Sequence, residues 1–248
     1  MPVGIFLGFA AAIFQSLSYL FSGHYVRTFR SSTRELLVMA HVVMGVFSLV
    51  LLPWAVPDHI PPLTVYLWPL LGGVAFYLFG QVGLLMALRC TDASRVSPLL
   101  GLKLPILVGI SIAFLERRYS GLQWLAVGLC LLAAFLLNRS GARVSWAGLL
   151  WVLVACVGYC LSDLHIRLLV DRLRAADMSL VQASLLGACF SYVLCGAMAV
   201  LLLPTVPWRD TSRWRAAIPF GITWFGAMLS LFACFSSIGV VFGNIVQS

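Results

Sequence analysis

The chain has 248 residues, of which 62% are hydrophobic and only 10% are charged. Soluble globular domains carry roughly 45–50% apolar and about 25% charged residues, so this composition excludes an ordinary soluble domain and indicates several membrane spans. The net charge of +8 comes mainly from arginines between apolar runs, where they set membrane topology and meet lipid headgroups, and this placement argues against nucleic acid as a partner.

Apolar runs of about 18–25 residues predict membrane-spanning helices along most of the chain. The first run lacks a basic leader and a cleavage motif, which indicates a retained helix rather than a signal peptide. Eight spans are predicted, and a ninth run begins near residue 240. The spans cover residues 3–23, 35–55, 64–88, 94–115, 120–138, 146–169, 179–203 and 216–238.

Short motifs recur in the two halves of the chain. "QSLSYL", which begins at Gln15, matches "YCLSDL", which begins at Tyr159, at an offset of 144 residues. "WPLLGG" around Pro69 and "IPFG" around Pro219 follow in the same order. A five-helix unit inserted twice faces opposite ways because five is odd, and such inverted repeats are typical of secondary transporters.

The predicted fold class is therefore an all-α, polytopic membrane helix bundle of two inverted five-helix repeats. The first repeat covers residues 1–140 and the second covers 141–248, where it is incomplete. The repeat predicts that the full gene product continues for about two more helices.

The stretch "MALRCTDASRVSPLLGLKLPILVGISIAFLERRYSGLQWLAVGLCLLAAFLL" resembles the EamA-type drug/metabolite transporter superfamily. The matching elements are Ala87 with Leu88, the segment from Ala93 to Ser97, Pro105 and Glu116. The resemblance implies ten helices, two inverted halves, transport of small metabolites and a cavity lined by helices one, three, four, six, eight and nine. It favours a multi-pass protein of a bacterial inner membrane, and it implies no cofactor and no particular metabolite.

The only lysine of the chain, Lys103, lies about nine residues into the fourth predicted span. At 1.5 Å per residue this is ~13 Å deep, close to the bilayer midplane. A lysine at that depth costs ~2.5–3.5 kcal/mol on insertion scales, so it should face protein or water. Two roles stay open: pairing with the Gly101 carbonyl that Pro105 leaves without a donor, or meeting an anionic substrate group in a central cavity.

The sixth predicted helix carries Asp163 and His165 close to Arg167. These residues either lie at the membrane interface or act in function. Asp163 is then expected to pair with Lys103, to bind a cationic substrate group or to carry a coupled proton. His41 in the second helix is a further proton-coupling candidate, although a hydrogen-bonded packing role is the alternative.

Four polar side chains complete the candidate substrate-binding set with Lys103 and Asp163: Gln15, Tyr19, Gln81 and Tyr159. Glutamine is costly in lipid, so Gln15 and Gln81 should face inward. The two tyrosines flank the repeated "LS" element. For each of these side chains, hydrogen bonding between helices is the alternative to substrate binding.

The leading functional hypothesis is a secondary transporter of a small polar, anionic or zwitterionic metabolite. The chain has no Walker motif, its cysteines fall in apolar runs, and no metal or cofactor site is predicted. The alternatives are an intramembrane enzyme that uses Asp163 and His165 and a non-transporting or inactive truncated membrane protein. A homodimer is compatible with the sequence.

Two lines of reasoning disagree on membrane orientation. Ten arginines follow odd-numbered predicted helices and five follow even-numbered ones, which by the positive-inside rule places the N-terminus outside. The family resemblance implies an N-terminus inside, and this orientation is the one we expect. Reporter fusions after Asp58 and Arg143 distinguish the two.

Overall fold

A computed structural model describes residues 2–57, 61–91, 95–96, 99–115 and 145–247, together with residues 120–121, 124–125, 127–129, 131–132 and 136. The described part consists of helices joined by short turns and contains no strand. Its α-helices are α1 (Pro2–Phe29), α2 (Thr33–Ala55), α3 (Leu63–Cys90), α4 (Lys103–Leu115), α5 (Trp146–Arg174), α6 (Leu180–Leu202), α7 (Thr211–Ile238) and α8 (Val240–Gln247).

Six of these helices are long and apolar enough to cross a membrane: α1, α2, α3, α5, α6 and α7. The prediction of a polytopic, all-helical membrane protein is confirmed. In the fourth predicted span, α4 is preceded by a short 3-10 turn, Leu100–Leu102. Much of the fifth predicted span, and the motif residue Glu116, lie outside the described residues.

Local capping chemistry sets several helix ends. The Ser32 side chain accepts the Glu35 N–H at the start of α2, and Ser179 forms a reciprocal capping box with Gln182 at the start of α6. Asp210 caps α7 through the Ser212 N–H. At the other end of α7, the chain turns at Gly239, whose φ of 89° favours glycine because a Cβ strains that conformation.

The described chain forms two compact units. The first unit comprises Met1–Val74 and His165–Gln247, and the second comprises Ala75–Leu164. These structural units follow boundaries of their own, and the division into repeats at residue 140 stays a prediction.

In the first unit, α1 packs chiefly on α7 and α2 packs chiefly on α6, while α8 contacts α1 and α7. Gly4 lies against Ile238, and Gly226 lies against Phe14, so α1 and α7 run antiparallel. The start of α7 therefore shares one end of this unit with the α1–α2 turn. Where α2 crosses α6, a Cβ on Gly45 would lie 2.9 Å from the Cα of Gly196, so the two backbones touch.

In the second unit, α3 and α5 run antiparallel at backbone contact. A Cβ on Gly158 would lie 2.7 Å from the Cα of Gly80, and one on Gly83 would lie 2.7 Å from the backbone nitrogen of Ala155. This close approach is typical of membrane helices that associate through small residues. It leaves the neighbouring polar side chains of α3 and α5 in the core of the unit.

Candidate functional site

A buried ion pair joins α4 to α5 in the second unit. The Nζ of Lys103 lies 2.6 Å from Oδ2 of Asp163, and the two side chains are 21% and 7% exposed. Asp163 is eleven residues before the end of α5, about 16 Å along the helix axis, so the pair lies inside a span. Of the two roles left open for Lys103, pairing with the Gly101 carbonyl gives way to pairing with a carboxylate.

Tyr159 contributes an aromatic wall to this site. The Lys103 ammonium lies 5.9 Å from the centroid of its ring, within range of a cation–π attraction. Tyr159 and Asp163 are four residues apart on α5 and therefore share one face of the helix. The Tyr159 ring also lies 6.4 Å from the ring of Tyr77 on α3, so all three helices contribute to the site.

Two cysteine thiols hold the start of α4 against α5. Cys156 Sγ lies 3.9 Å from the carbonyl oxygen of Leu99 and 3.8 Å from that of Leu100, and Cys160 Sγ donates to the carbonyl oxygen of Lys103 at 3.2 Å. The regular spacing of these contacts shows that α4 runs parallel to α5. The thiols thus contact backbone carbonyls around the start of α4, while the Gly101 carbonyl, whose usual donor Pro105 removes, accepts the Lys103 N–H.

Gln81 is buried in the same unit with 6% of its surface exposed, and its Oε1 has no hydrogen-bond partner among the described residues. It lies one helical turn from Tyr77 and nearly one turn from Leu84, which packs around the start of α4 with Leu99. A buried carbonyl oxygen without a donor costs about 1–3 kcal/mol. Gln81 therefore offers an acceptor to a ligand that enters this three-helix core.

Gln15 and Tyr19 form a separate polar cluster in the first unit. Gln15 Nε2 donates to Tyr19 Oη at 2.6 Å, and the Gln247 side chain on α8 donates to Gln15 Oε1. Gln15 is half-buried and Tyr19 is 62% exposed. Gln15 therefore links α1 to α8 and bonds Tyr19 within α1, and the part of both residues in substrate binding stays a prediction.

The two histidine candidates sit in helix-packing environments of the first unit. His41 is buried, its Nδ1 lies 2.7 Å from the Leu37 carbonyl oxygen, and its ring lies 6.1 Å from that of Trp224. His165 packs on Gly72 and lies 6.4 Å from the ring of Trp68. Residues two positions apart on a helix do not face each other, so Asp163 and His165 point to different neighbours.

Sequence reasoning missed three contributors to the charged and polar contacts. Tyr77 and the backbone-directed thiols had no signal beyond their positions on apolar helices. Glu35 had one: it is an acidic residue in the first turn of a membrane helix, in a chain with only eight acidic residues. It forms a buried ion pair with Arg213 in the first unit.

Six apolar spans, helices in backbone contact and a charged pair inside a span define a polytopic membrane protein with a polar intramembrane site. The chain belongs to the EamA-like transporter family, whose model matches residues 2–139. The resemblance found in the sequence is thereby confirmed, and membership implies a membrane transporter-like protein, a class that does not typically include enzymes.

A solved structure described only as "Crystal structure of protein" is similar to this chain, with a TM-score of 0.65 and 16% sequence identity. The match covers 98% of this chain and 84% of the other. At that identity the similarity concerns the fold alone. No curated protein matches the chain.

Proposed function

We propose that the protein is a secondary transporter that carries a small polar, anionic or zwitterionic metabolite across a bacterial inner membrane by alternating access. The observation that carries the proposal is the Lys103–Asp163 ion pair, buried between α4 and α5 inside a span. Ionisable side chains within membrane spans are rare and commonly mark substrate or ion pathways. Secondary transporters of inverted-repeat type place their substrate site at such a depth.

A paired cation and anion suit a zwitterion particularly well. A zwitterion can place its carboxylate on Lys103 and its ammonium on Asp163, so both side chains exchange one partner for another and no buried charge is left alone. A simple anion on Lys103 would displace Asp163, which would then require a proton or a cation. Asp163 is for this reason our candidate for proton coupling with anionic substrates, and His41 is the second candidate.

The neighbouring polar groups would complete recognition. Gln81 has an oxygen without a partner among the described residues, which would accept a hydroxyl or N–H donor of the substrate. The Tyr159 ring lies beside the Lys103 ammonium and would cover the apolar part of the substrate. Gln15 and Tyr19 are further candidates for substrate binding, and a polar substrate would exchange with the hydrogen bonds that they form.

The test is counterflow and uptake in proteoliposomes, with small anionic and zwitterionic metabolites as two separate panels. Lys103→Gln and Asp163→Asn should each abolish uptake of the transported compound, and Gln81→Leu should raise its KM. Arg167→Gln is the matched control, because it removes an ion pair to Asp171 on α5 outside the proposed site. That control should retain uptake.

Three results decide the proposal. If the wild-type protein takes up zwitterions and both Lys103→Gln and Asp163→Asn abolish this uptake, the site and the substrate class are both supported. Uptake that survives in Lys103→Gln and Asp163→Asn contradicts the site. No uptake or exchange of any compound in either panel, by wild-type protein that is folded and inserted, contradicts the transport function.

A further inference from the structure

A network of charged and polar side chains joins three helices at one end of the first unit. The Tyr25 hydroxyl on α1 donates to Glu35 Oε1 on α2 at 2.7 Å, and Arg213 on α7 donates to the same carboxylate oxygen. Arg213 also donates from Nε to Asp210 Oδ2 at 3.1 Å, and its guanidinium lies 5.1 Å from the ring of Phe29. Only 12% of the Glu35 side chain and 20% of the Arg213 side chain are exposed.

This network consists of two local pairs and one cross-link. Tyr25 and Glu35 lie on successive helices joined by a short turn, and Asp210 and Arg213 lie at the start of α7. The Glu35–Arg213 pair is the ionic connection between these two groups. If it opens, Glu35 keeps the Tyr25 hydroxyl and Arg213 keeps Asp210, so neither charge is abandoned. The penalty that makes most buried ion pairs hard to break is thereby reduced.

A buried and mainly apolar layer adjoins this network and shares Tyr25 with it. It is formed by α1, α2 and α7 residues that are at most 2% exposed: Tyr25, Leu36, Met39, Ala40, Ala217 and Phe220. Moving the start of α7 away from the α1–α2 turn would open this layer to water. Breaking the cross-link is therefore coupled to wetting a defined set of side chains.

The opposite end of the same unit is built differently. There α1 meets α7 through Gly4, whose carbonyl oxygen accepts from Cys234 Sγ at 3.3 Å. The polar contacts at that end connect α5 to α7, with Ser236 donating to Asp171 Oδ1 at 2.6 Å and Arg174 donating to Ser236 at 3.3 Å. The Glu35–Arg213 end differs, because each residue of its cross-link has a second partner, Tyr25 for Glu35 and Asp210 for Arg213.

We propose that Glu35, Tyr25 and Arg213 form a reversible latch that holds the α1–α2 turn on the start of α7 in one state of the transport cycle and releases it in the other. The proposal rests on the proposed function, because only a transport cycle requires this end to open and close. Ion pairs are best attested as elements that select between states rather than as sources of stability. Glu35 and Arg213 are thus positioning residues of the transport reaction and need not touch the substrate.

The test measures water access at the layer under the latch. Ala217→Cys is introduced into a cysteine-free protein in nanodiscs and labelled with a water-soluble, membrane-impermeant maleimide. Glu35→Gln should raise the labelling rate at position 217 about tenfold or more, because it shifts an equilibrium between two states. Arg213→Gln should do the same, and the double variant Glu35→Gln/Arg213→Gln should label no faster than either single variant, because both remove one interaction.

Two controls separate opening of this end from general loosening. Asp171→Asn breaks the polar contacts at the opposite end and should leave labelling at position 217 unchanged. A reporter at Ala233, close to that opposite end, should label equally in wild type and in Glu35→Gln. Unchanged labelling at 217 in both latch variants, additive effects in the double variant, or equal acceleration at 217 and 233 overturns the latch.

Labelling requires no substrate, so failure of the latch and failure of transport can be told apart. If the latch variants raise the labelling rate at position 217 alone and the protein transports nothing, the opening of this end is supported and the proposed function is contradicted. If the labelling rate is unchanged and the protein takes up a metabolite, the latch is contradicted and the proposed function is supported. Amide hydrogen exchange across residues 33–40 is the second measurement: it should become faster in Glu35→Gln and stay unchanged in Asp171→Asn.

Discussion

The two buried ion pairs of this protein are built for different circumstances. Lys103 and Asp163 face each other inside helical spans, with the ammonium 2.6 Å from the carboxylate. Glu35 and Arg213 lie in the first turns of α2 and α7, where Tyr25 and Asp210 offer each of them a second partner. The second pair can open while each of its charges keeps a partner, whereas opening the first pair separates a cation from an anion inside a span.

In a chain that is only 10% charged, the few charged side chains therefore form pairs of two kinds. A pair that must stay neutral as a unit suits the binding of a molecule with both charges. A pair with local fallback partners suits a contact that forms and breaks. The following predictions test this contrast, beginning with the largest expected effect.

Asp163→Asn should lower the free energy of unfolding by about 3–5 kcal/mol, because it leaves the Lys103 ammonium buried without its carboxylate. The double variant Lys103→Met/Asp163→Leu should recover most of that loss, because it removes both charges, and it should still fail to transport. Thermal unfolding in detergent, followed by size-exclusion chromatography, measures the loss of stability and its recovery. Uptake in proteoliposomes measures transport by the double variant.

Arg167→Gln is the control for this comparison, because the Arg167–Asp171 pair is a partly exposed i,i+4 contact within α5. Such pairs contribute about 0.3–0.5 kcal/mol. If Asp163→Asn proves as mild as this control, the buried pair does not constrain the fold and the contrast with Glu35–Arg213 disappears.

Gly158→Val should destabilise the second unit by about 1–3 kcal/mol, because its side chain would enter the Gly80 backbone and separate α3 from α5. Gly109→Ala on α4 is the matched control, since no described atom lies within 4 Å of a Cβ built there. That variant should be neutral or gain up to about 1 kcal/mol from helix propensity. Equal melting temperatures for the two variants would count against the close crossing that aligns Tyr77 with Tyr159.

Cys160→Ala should have a smaller effect, about 1 kcal/mol, through loss of the S–H donor to the Lys103 carbonyl. The altered start of α4 should also weaken substrate affinity, whereas Cys90→Ala, at an exposed cysteine, should change neither property. Unfolding curves and KM values of the two variants provide the comparison. A KM that is unchanged in Cys160→Ala would show that the thiol does not position Lys103.

The smallest effect concerns acid pH at the start of α7. Hydrogen bonds from Ser212 and Arg213 lower the pKa of Asp210 below its usual value. A lowered carboxyl pKa contributes stability above the pKa of the unfolded chain, about 3.9, and that contribution is lost as the pH falls through the folded value. Between pH 5 and about pH 3, Asp210→Asn should therefore lose less stability than wild type, and a parallel acid profile would refute this role.

How far the sequence predicts a residue's role and contacts differs from residue to residue. Lys103 was predictable as a functional candidate because a lone lysine in an apolar run is costly and must be accommodated. Its pairing with Asp163 was one alternative among several, because sequence spacing does not place two helices beside each other. Glu35 was overlooked because the first turn of a helix is an ordinary place for an acidic residue, and only the position of Arg213 on a distant helix gives it a buried partner.

The sequence by itself determined the class of protein and indicated its family, because apolar length and recurring motifs are local properties of the chain. It predicted eight spans and the start of a ninth, whereas six long apolar helices occur in the described residues. The tertiary structure decided which polar residues meet. The crossing of Gly80 with Gly158 brings Tyr77 to Tyr159, and the parallel packing of α4 on α5 brings Lys103 to Asp163. It also assigned Gln15 and Tyr19 to a different unit from that site and gave Glu35 its partner, since such contacts depend on helix register and direction, which hydrophobic patterning leaves open.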